Sequence, residues 1–434
     1  MTRSGKYPFS VGVTLVIANM VGTGVFTSLG FQVGPVPSSF AILLLWSVGG
    51  LVSLCGALCY AELATTMKES GGEYLYLGKI FHPALGFLSG WVSLLVGFAG
   101  AVSAVALAIG AYASEVSGLP ETVIGVAAIV LVTAVHLLGV RIGGMTQNVL
   151  TVFKLSLILF FCLAPFFTDV PLQNPMQAQE RDWSLVMSSG WAVSLVFVVY
   201  AYSGWNASAY IAGNLDDPER NLPRSLVWGT LVVTVVYLAL NGMFLAVASH
   251  QELNGQNDVG NVVAFRLFGP EAGRLFSLVF SFALLSTLSA MTIAGPRVGE
   301  AMGRDFRILG FLSRPNRFGM PWPAIVLQSV WAMVLVMVSS FKEIIQYISV
   351  SLSWFTLLTV LGLLVVRRRS GSGPLASGVF RVPGYPLPVL IFAGATVWMI
   401  VYVTAENPSV IWYSLLTIAI GFVVYLLAEK SNRP

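Results

Sequence analysis

Charge is what this 434-residue chain has least of. Only 10% of its residues are Asp, Glu, Lys or Arg, against about 25% in a soluble protein. That shortage excludes a water-solvated body. With 56% hydrophobic residues and a mean hydropathy of +0.82, the chain reads as an integral membrane protein. Histidine is scarce too: His82, His136 and His250 fall near span ends or in loops, which leaves no histidine-based catalytic pair or metal centre at membrane depth. The three cysteines, Cys55, Cys59 and Cys162, all lie in apolar runs. Cys55 and Cys59 stand four apart without histidines or acids beside them, so they read as buried structural thiols, not metal ligands. None lies in an outer loop, so no disulfide-linked partner is expected. Long polar stretches are missing as well; the longest, about 168–187, 249–271, 303–320 and 367–385, are too short for a soluble domain. The net charge of +4 reports membrane topology and points to no nucleic-acid partner.

What the chain has is apolar runs. About twelve are long enough to cross a hydrocarbon core of roughly 30 Å, near 9–31, 39–64, 83–112, 122–140, 145–167, 188–212, 225–248, 272–302, 321–339, 344–366, 386–404 and 409–427. The expected fold is an all-α membrane protein of about twelve transmembrane helices. Arg3 and Lys6 ahead of the first run imitate a signal peptide, but the run is too long for one and lacks a cleavage site, so it is span 1. Most lysines and arginines, including Arg220, Arg224, Arg297, Arg304, Arg307 and the run Arg367-Arg368-Arg369, fall on the amino-terminal side of the membrane. Arg181, Arg266, Arg274 and Lys342 fall on the other. The positive-inside rule then places both termini in the cytoplasm; the expected location is a plasma membrane, the inner membrane of a bacterium.

Two runs are broken where a membrane helix should be most apolar. Span 1 contains Asn19-Met20-Val21-Gly22-Thr23-Gly24, and span 6 contains Ala201-Tyr202-Ser203-Gly204-Trp205-Asn206. Unwound backbone survives in lipid only where protein or a polar cavity receives it, and paired breaks in corresponding halves point to a transporter's binding site. Each break opens a group of five spans, an odd number, so the second group enters from the opposite side. The chain divides into 1–167 (spans 1–5), 168–366 (spans 6–10, inverted) and 367–434, a linker with Ser370-Gly371-Ser372-Gly373 followed by spans 11 and 12. In the first break, amides beyond Gly22-Thr23-Gly24 suit a carboxylate, while carbonyls of the preceding half, Ile17, Ala18 and Met20 among them, suit an ammonium. In the second, carbonyls from Tyr200 and Ala201 to Ser203 face the same cation, beside Gly204 and Asn206. Such a cradle reads the zwitterion common to all amino acids. Small residues packing helix against helix are the competing reading, which the second break and Asn206 outweigh.

The motifs carry a family resemblance. Val21-Gly22-Thr23-Gly24-Val25-Phe26 resembles the first-span motif of the amino acid–polyamine–organocation transporters. Tyr60-Ala61-Glu62-Leu63-Ala64 followed by Lys68-Glu69-Ser70-Gly71-Gly72-Glu73-Tyr74 is similar to their inner-loop signature. Tyr200 to Asn206 with Asp217-Pro218-Glu219-Arg220, and Ser286-Thr287-Leu288-Ser289 before Arg297, resemble two more, in the expected order along nearly the whole chain. Within the family the chain resembles the L-type amino acid transporter branch. The resemblance implies a LeuT-like 5+5 inverted repeat with spans 1 and 6 unwound, alternating access, and a small amine or amino acid substrate. It also implies that Thr23 and Gly24 donate amides to the substrate carboxylate, that Tyr200 is an aromatic gate with Trp205 beside it, and that Asn206 and the Ser203 carbonyl hold the amino end.

Lys154 lies well inside span 5, where a central ammonium costs about 2.5–3.5 kcal/mol and is too deep to snorkel comfortably. By resemblance it stands where sodium-coupled relatives hold a sodium ion, touching span 1 and the region of Ser286 and Thr287. Sodium coupling is therefore disfavoured, while exchange and proton coupling stay open. Glu62, at the inner end of span 2, is expected to pair with a cytoplasmic arginine such as Arg297 or Arg304. With no acid identified near the breaks and no arginine clamp, the expected substrate is a neutral L-amino acid. An amine or polyamine permease and a non-transporting sensor are the alternatives; an enzyme is not expected. Nor is any cofactor or metal; the expected partners are the substrate, the bilayer and, under proton coupling, H+.

Overall fold

A computed structural model describes residues 7–67, 71–138, 140–171, 173–174, 176–370 and 379–432. Arg3, Lys6, the signature residues Lys68-Glu69-Ser70 and the linker residues Gly371-Ser372-Gly373 lie outside them. Among the described residues the fold is all-helical, with only two isolated bridges, Tyr7 to Leu215 and Pro315 to Pro321. Eight helices among them are long and apolar enough to cross a bilayer: Phe9–Thr27, Ser39–Met67, Pro83–Ser114, Pro218–Val247, Val259–Asp305, Phe341–Arg369, Leu387–Glu406 and Pro408–Ser431. Glu121–Leu137, Val152–Phe167 and Trp322–Val338 are apolar but shorter, and Ser189–Tyr202 is cut short by the second break.

The elements around the breaks are, in chain order, α1 (Phe9–Met20), α2 (Gly24–Thr27), α3 (Ser39–Met67), α4 (Gly72–Ile80), α5 (Ser189–Tyr202), α6 (Pro218–Val247), α7 (Val259–Asp305) and α8 (Phe341–Ser370). The long helices are predominantly apolar and form because hydrocarbon leaves the backbone no other hydrogen-bond partners. α6 packs on α3 and α1, and α5 packs on α3 and α8, so both breaks are enclosed by long neighbours. α7 bends at Gly269, whose φ of 79° interrupts the helix ahead of Pro270. The polar segment 249–271 carries the short helix His250–Leu253 and the first turns of α7.

The ends of α3 and α8 are locked together by an ion pair that differs from the one expected. Glu62 is 1% exposed and receives Arg367, not Arg297 or Arg304: Nε donates to Oε1 at 2.7 Å and Nη2 to Oε2 at 2.5 Å. Arg297 and Arg304 both bind Glu300 instead, one turn away on their own helix. The Val382 amide donates to Glu62 at 2.7 Å, and the Arg367 guanidinium lies 3.7 Å from the centre of the Tyr385 ring. One buried carboxylate thus joins α3, α8 and the segment leading to Leu387–Glu406. Removing one partner of a buried pair costs about 3–5 kcal/mol, because the other charge stays behind unmatched. Arg367→Ala is therefore expected to lower the thermal-unfolding midpoint in detergent by several degrees; an unchanged midpoint would show that the clasp carries no stability.

Candidate functional site

The two breaks meet back to back. α1 stops at Met20 because Val21 turns to ψ 88°, and the chain resumes helical geometry at Thr23, ahead of α2. α5 stops at Tyr202, where Ser203 turns to ψ 143° and Gly204 adopts φ +99°. Only glycine takes that conformation without strain. A Cβ on Gly24 would lie 2.5 Å from the Ala201 Cα, and one on Gly204 would lie 2.9 Å from the Asn19 carbonyl carbon. Each break therefore holds a glycine against the backbone of the other, a closeness that no side chain permits.

Side chains from three helices satisfy the freed carbonyls. The Tyr237 hydroxyl, on α6, lies 2.6 Å from the Met20 carbonyl oxygen and 2.9 Å from that of Ala201, so one phenol bridges both breaks. Lys154 is fully buried; its Nζ donates to the Val21 carbonyl and, at 3.2 Å, to Thr287 Oγ1. Ser286, grouped with them in the sequence, is buried with its hydroxyl unpartnered. Tyr112 donates to the Phe26 carbonyl at 3.1 Å and accepts from the Gly260 amide.

The predicted substrate residues gather here, with some already engaged. Thr23 and Tyr200 are buried, their hydroxyl oxygens 3.0 Å apart, a hydrogen bond between the first break and α5. Gly24 and Ala201 are buried, Ile17, Ala18 and Gly22 are half-buried, and Ser203 is exposed. The carbonyls of Ile17 and Tyr200 accept from the Val21 and Ser203 amides, and those of Met20 and Ala201 face Tyr237; a carbonyl oxygen has two lone pairs. The Trp205 ring packs edge-on against Tyr60 at 4.8 Å and Phe392 at 6.0 Å, with Gly56 beside it. Trp205 therefore packs against α3 and the helix Leu387–Glu406.

Asn206 does not point at free space. Its Nδ2 donates to Glu73 Oε1 at 3.0 Å. Glu73 is itself 5% exposed and also accepts from the Tyr60 hydroxyl at 2.6 Å and the Tyr210 hydroxyl at 3.3 Å. Burial raises its carboxyl above the ordinary range, while the donors from Tyr60, Tyr210 and Asn206 pull it the other way. The expectation that no buried acid lies near the breaks is overturned: Glu73 belongs to a stretch that reads as an inner loop, and folding of α4 carries it under the second break. Tyr237 escapes sequence reasoning altogether, since a tyrosine within an apolar run has no mark that separates it from an interfacial aromatic.

Two interlocked, unwound helices are thus held by a buried lysine and a bridging tyrosine. The amino acid permease family profile matches residues 11–425, and the chain belongs to that family, whose members are transporters and not enzymes; within it the chain resembles the L-type branch. It is 28% identical over 394 residues to the serine/threonine exchanger SteT of Bacillus subtilis (strain 168), covering 88% of this chain and 87% of that protein. It is 27% identical over 443 residues to the b(0,+)-type amino acid transporter 1 of Mus musculus (98% and 89%). To the large neutral amino acids transporter small subunit 2 of the same species it is 26% identical over 429 residues (95% and 79%).

Tyr237→Phe removes the one proton that the Met20 and Ala201 carbonyls share, a loss of about 1–3 kcal/mol. The variant is expected to unfold at a lower temperature and to bind substrate more weakly in a scintillation proximity assay. Wild-type values in both measurements would show that the bridge is incidental.

Proposed function

We propose that the protein is a secondary transporter of neutral L-amino acids that works by alternating access without sodium, by exchange or with a proton. It crosses the plasma membrane twelve times, as a 5+5 inverted repeat with two appended spans and both termini in the cytoplasm. The observation that carries this reading is the meeting of the two breaks. The amides opening α2 would receive the substrate carboxylate, and lone pairs on the carbonyls of Ala18 and Ser203 would receive the ammonium. The Thr23–Tyr200 contact would bar the outer side while the exposed Ser203 leaves the inner one open; parting of that contact would admit substrate from outside. Relatives whose names denote a serine/threonine exchanger and a large neutral amino acid transporter support exchange and a neutral side chain.

Lys154 supports independence from sodium. Its ammonium sits between a backbone carbonyl and a threonine hydroxyl, the oxygen ligands a hard cation would use, and it brings its own positive charge to that place. A resident lysine there holds α1 to α7, with no sodium to bind or release.

Purified protein in liposomes, tested across a full amino acid panel, is expected to take up or exchange neutral amino acids at the same rate with sodium omitted. Failure to move any of them would overturn the transport reading, and a strict sodium requirement would overturn the role of Lys154. Lys154→Ala is expected to lower uptake at least about a hundredfold while the protein stays folded by size-exclusion chromatography, since an oriented buried charge is worth several kcal/mol. Normal turnover in that variant would remove Lys154 from the mechanism.

A further inference from the structure

Glu73 lies outside both breaks, yet it gathers three donors from two elements that the breaks set apart. Tyr60 comes from α3; Asn206 and Tyr210 come from the segment that follows the second break. That segment is a loose 3-10 turn, Ala207–Asn214, with a non-helical residue at Ile211, so its own hydrogen bonds hold it weakly. The contact on α4 is close: Gly72 has φ +55°, and a Cβ there would lie 2.3 Å from the Tyr210 ring. Tyr60 in turn is wedged against Trp205, the residue between Gly204 and Asn206. Oε1 takes Tyr60 and Asn206, Oε2 takes Tyr210, and every one of these partners donates. An ionised carboxylate, an acceptor at both oxygens, receives all three at once.

We propose that Glu73 is a positioning residue for the substrate site: by holding Asn206 and Tyr210 against Tyr60, it fixes the second half of the broken helix and so the geometry of Ser203 and Gly204. It does not touch the substrate. Asn206 is then a strut, and a mutation there acts on affinity through the shape of the break, not through a lost substrate contact. The assignment of the site itself rests on the transport reading; the hub that shapes the break does not.

A charge relocation tests it. Asn206→Asp sets a second carboxylate against Glu73 at a distance where both cannot stay ionised, and is expected to lower kcat/KM for uptake by about tenfold or more, the scale of one charge-assisted hydrogen bond. The double variant Glu73→Gln/Asn206→Asp moves the single charge to the other member and is expected to return kcat/KM to within about threefold of wild type, the size of coupling expected for contacting residues. If Asn206 instead contacts substrate, Glu73→Gln will not rescue it, and the proposal falls; it falls equally if Asn206→Asp transports normally. A parallel readout needs no transport. In protein carrying Ser203→Cys, the rate of maleimide labelling at position 203, followed by peptide mass, should change in the Asn206→Asp background and recover in the double variant. Recovery in labelling with a wild type that moves no amino acid would sink the transport reading alone. Normal wild-type uptake with no recovery in either readout would sink the role of Glu73 alone.

Discussion

Backbone that leaves helical geometry inside hydrocarbon has no water to turn to, and the centre of this protein is arranged around that constraint. The carbonyls released at Met20 and Ala201 share the Tyr237 hydroxyl, and the Val21 carbonyl takes Lys154. The glycines at 24 and 204 let the two unwound segments press on each other's main chain. Because each partner serves a break directly or links the two, neither break is stable in this form alone. Under the transport reading, the polar backbone that would be a liability in lipid becomes the material of a binding site, with lone pairs and amides facing the gap between α1 and α5.

Three buried ionisable groups each meet a different match. Glu62 is matched by Arg367 and ties the carboxy-terminal helices to the bundle. Lys154 is matched by oxygens of a carbonyl and a hydroxyl beside the first break. Glu73 is matched by two phenols and an amide beneath the second. The supports therefore differ in chemistry: a lysine holds the first break and a glutamate holds the segment after the second. The proposed inverted repeat does not require identical chemistry in its two copies, only that each unwound segment be held.

Much of this is legible in the sequence. Hydropathy locates the apolar runs to within a few residues, and Gly22-Thr23-Gly24 and Ser203-Gly204 mark both breaks, because small and polar residues at membrane depth are costly unless something receives them. Lys154 stands out for the same reason. Less visible are residues whose role depends on a distant partner. Tyr237 looks like any aromatic of an apolar run, the packing of Trp205 on Tyr60 and Phe392 leaves no local mark, and Glu62 invites arginines on the wrong helix. Glu73 falls in an apparent loop, where a charge needs no partner.

Composition and pattern by themselves determined that the chain enters the membrane, where its helices run, and where two of them must fail, because solvation by hydrocarbon acts on each segment separately. Which groups rescue the failed segments was decided only in the tertiary structure. Hydrogen bonds such as Tyr237 to Met20 and Asn206 to Glu73 join residues far apart in the chain, and no local periodicity records a contact that exists only once the helices are packed.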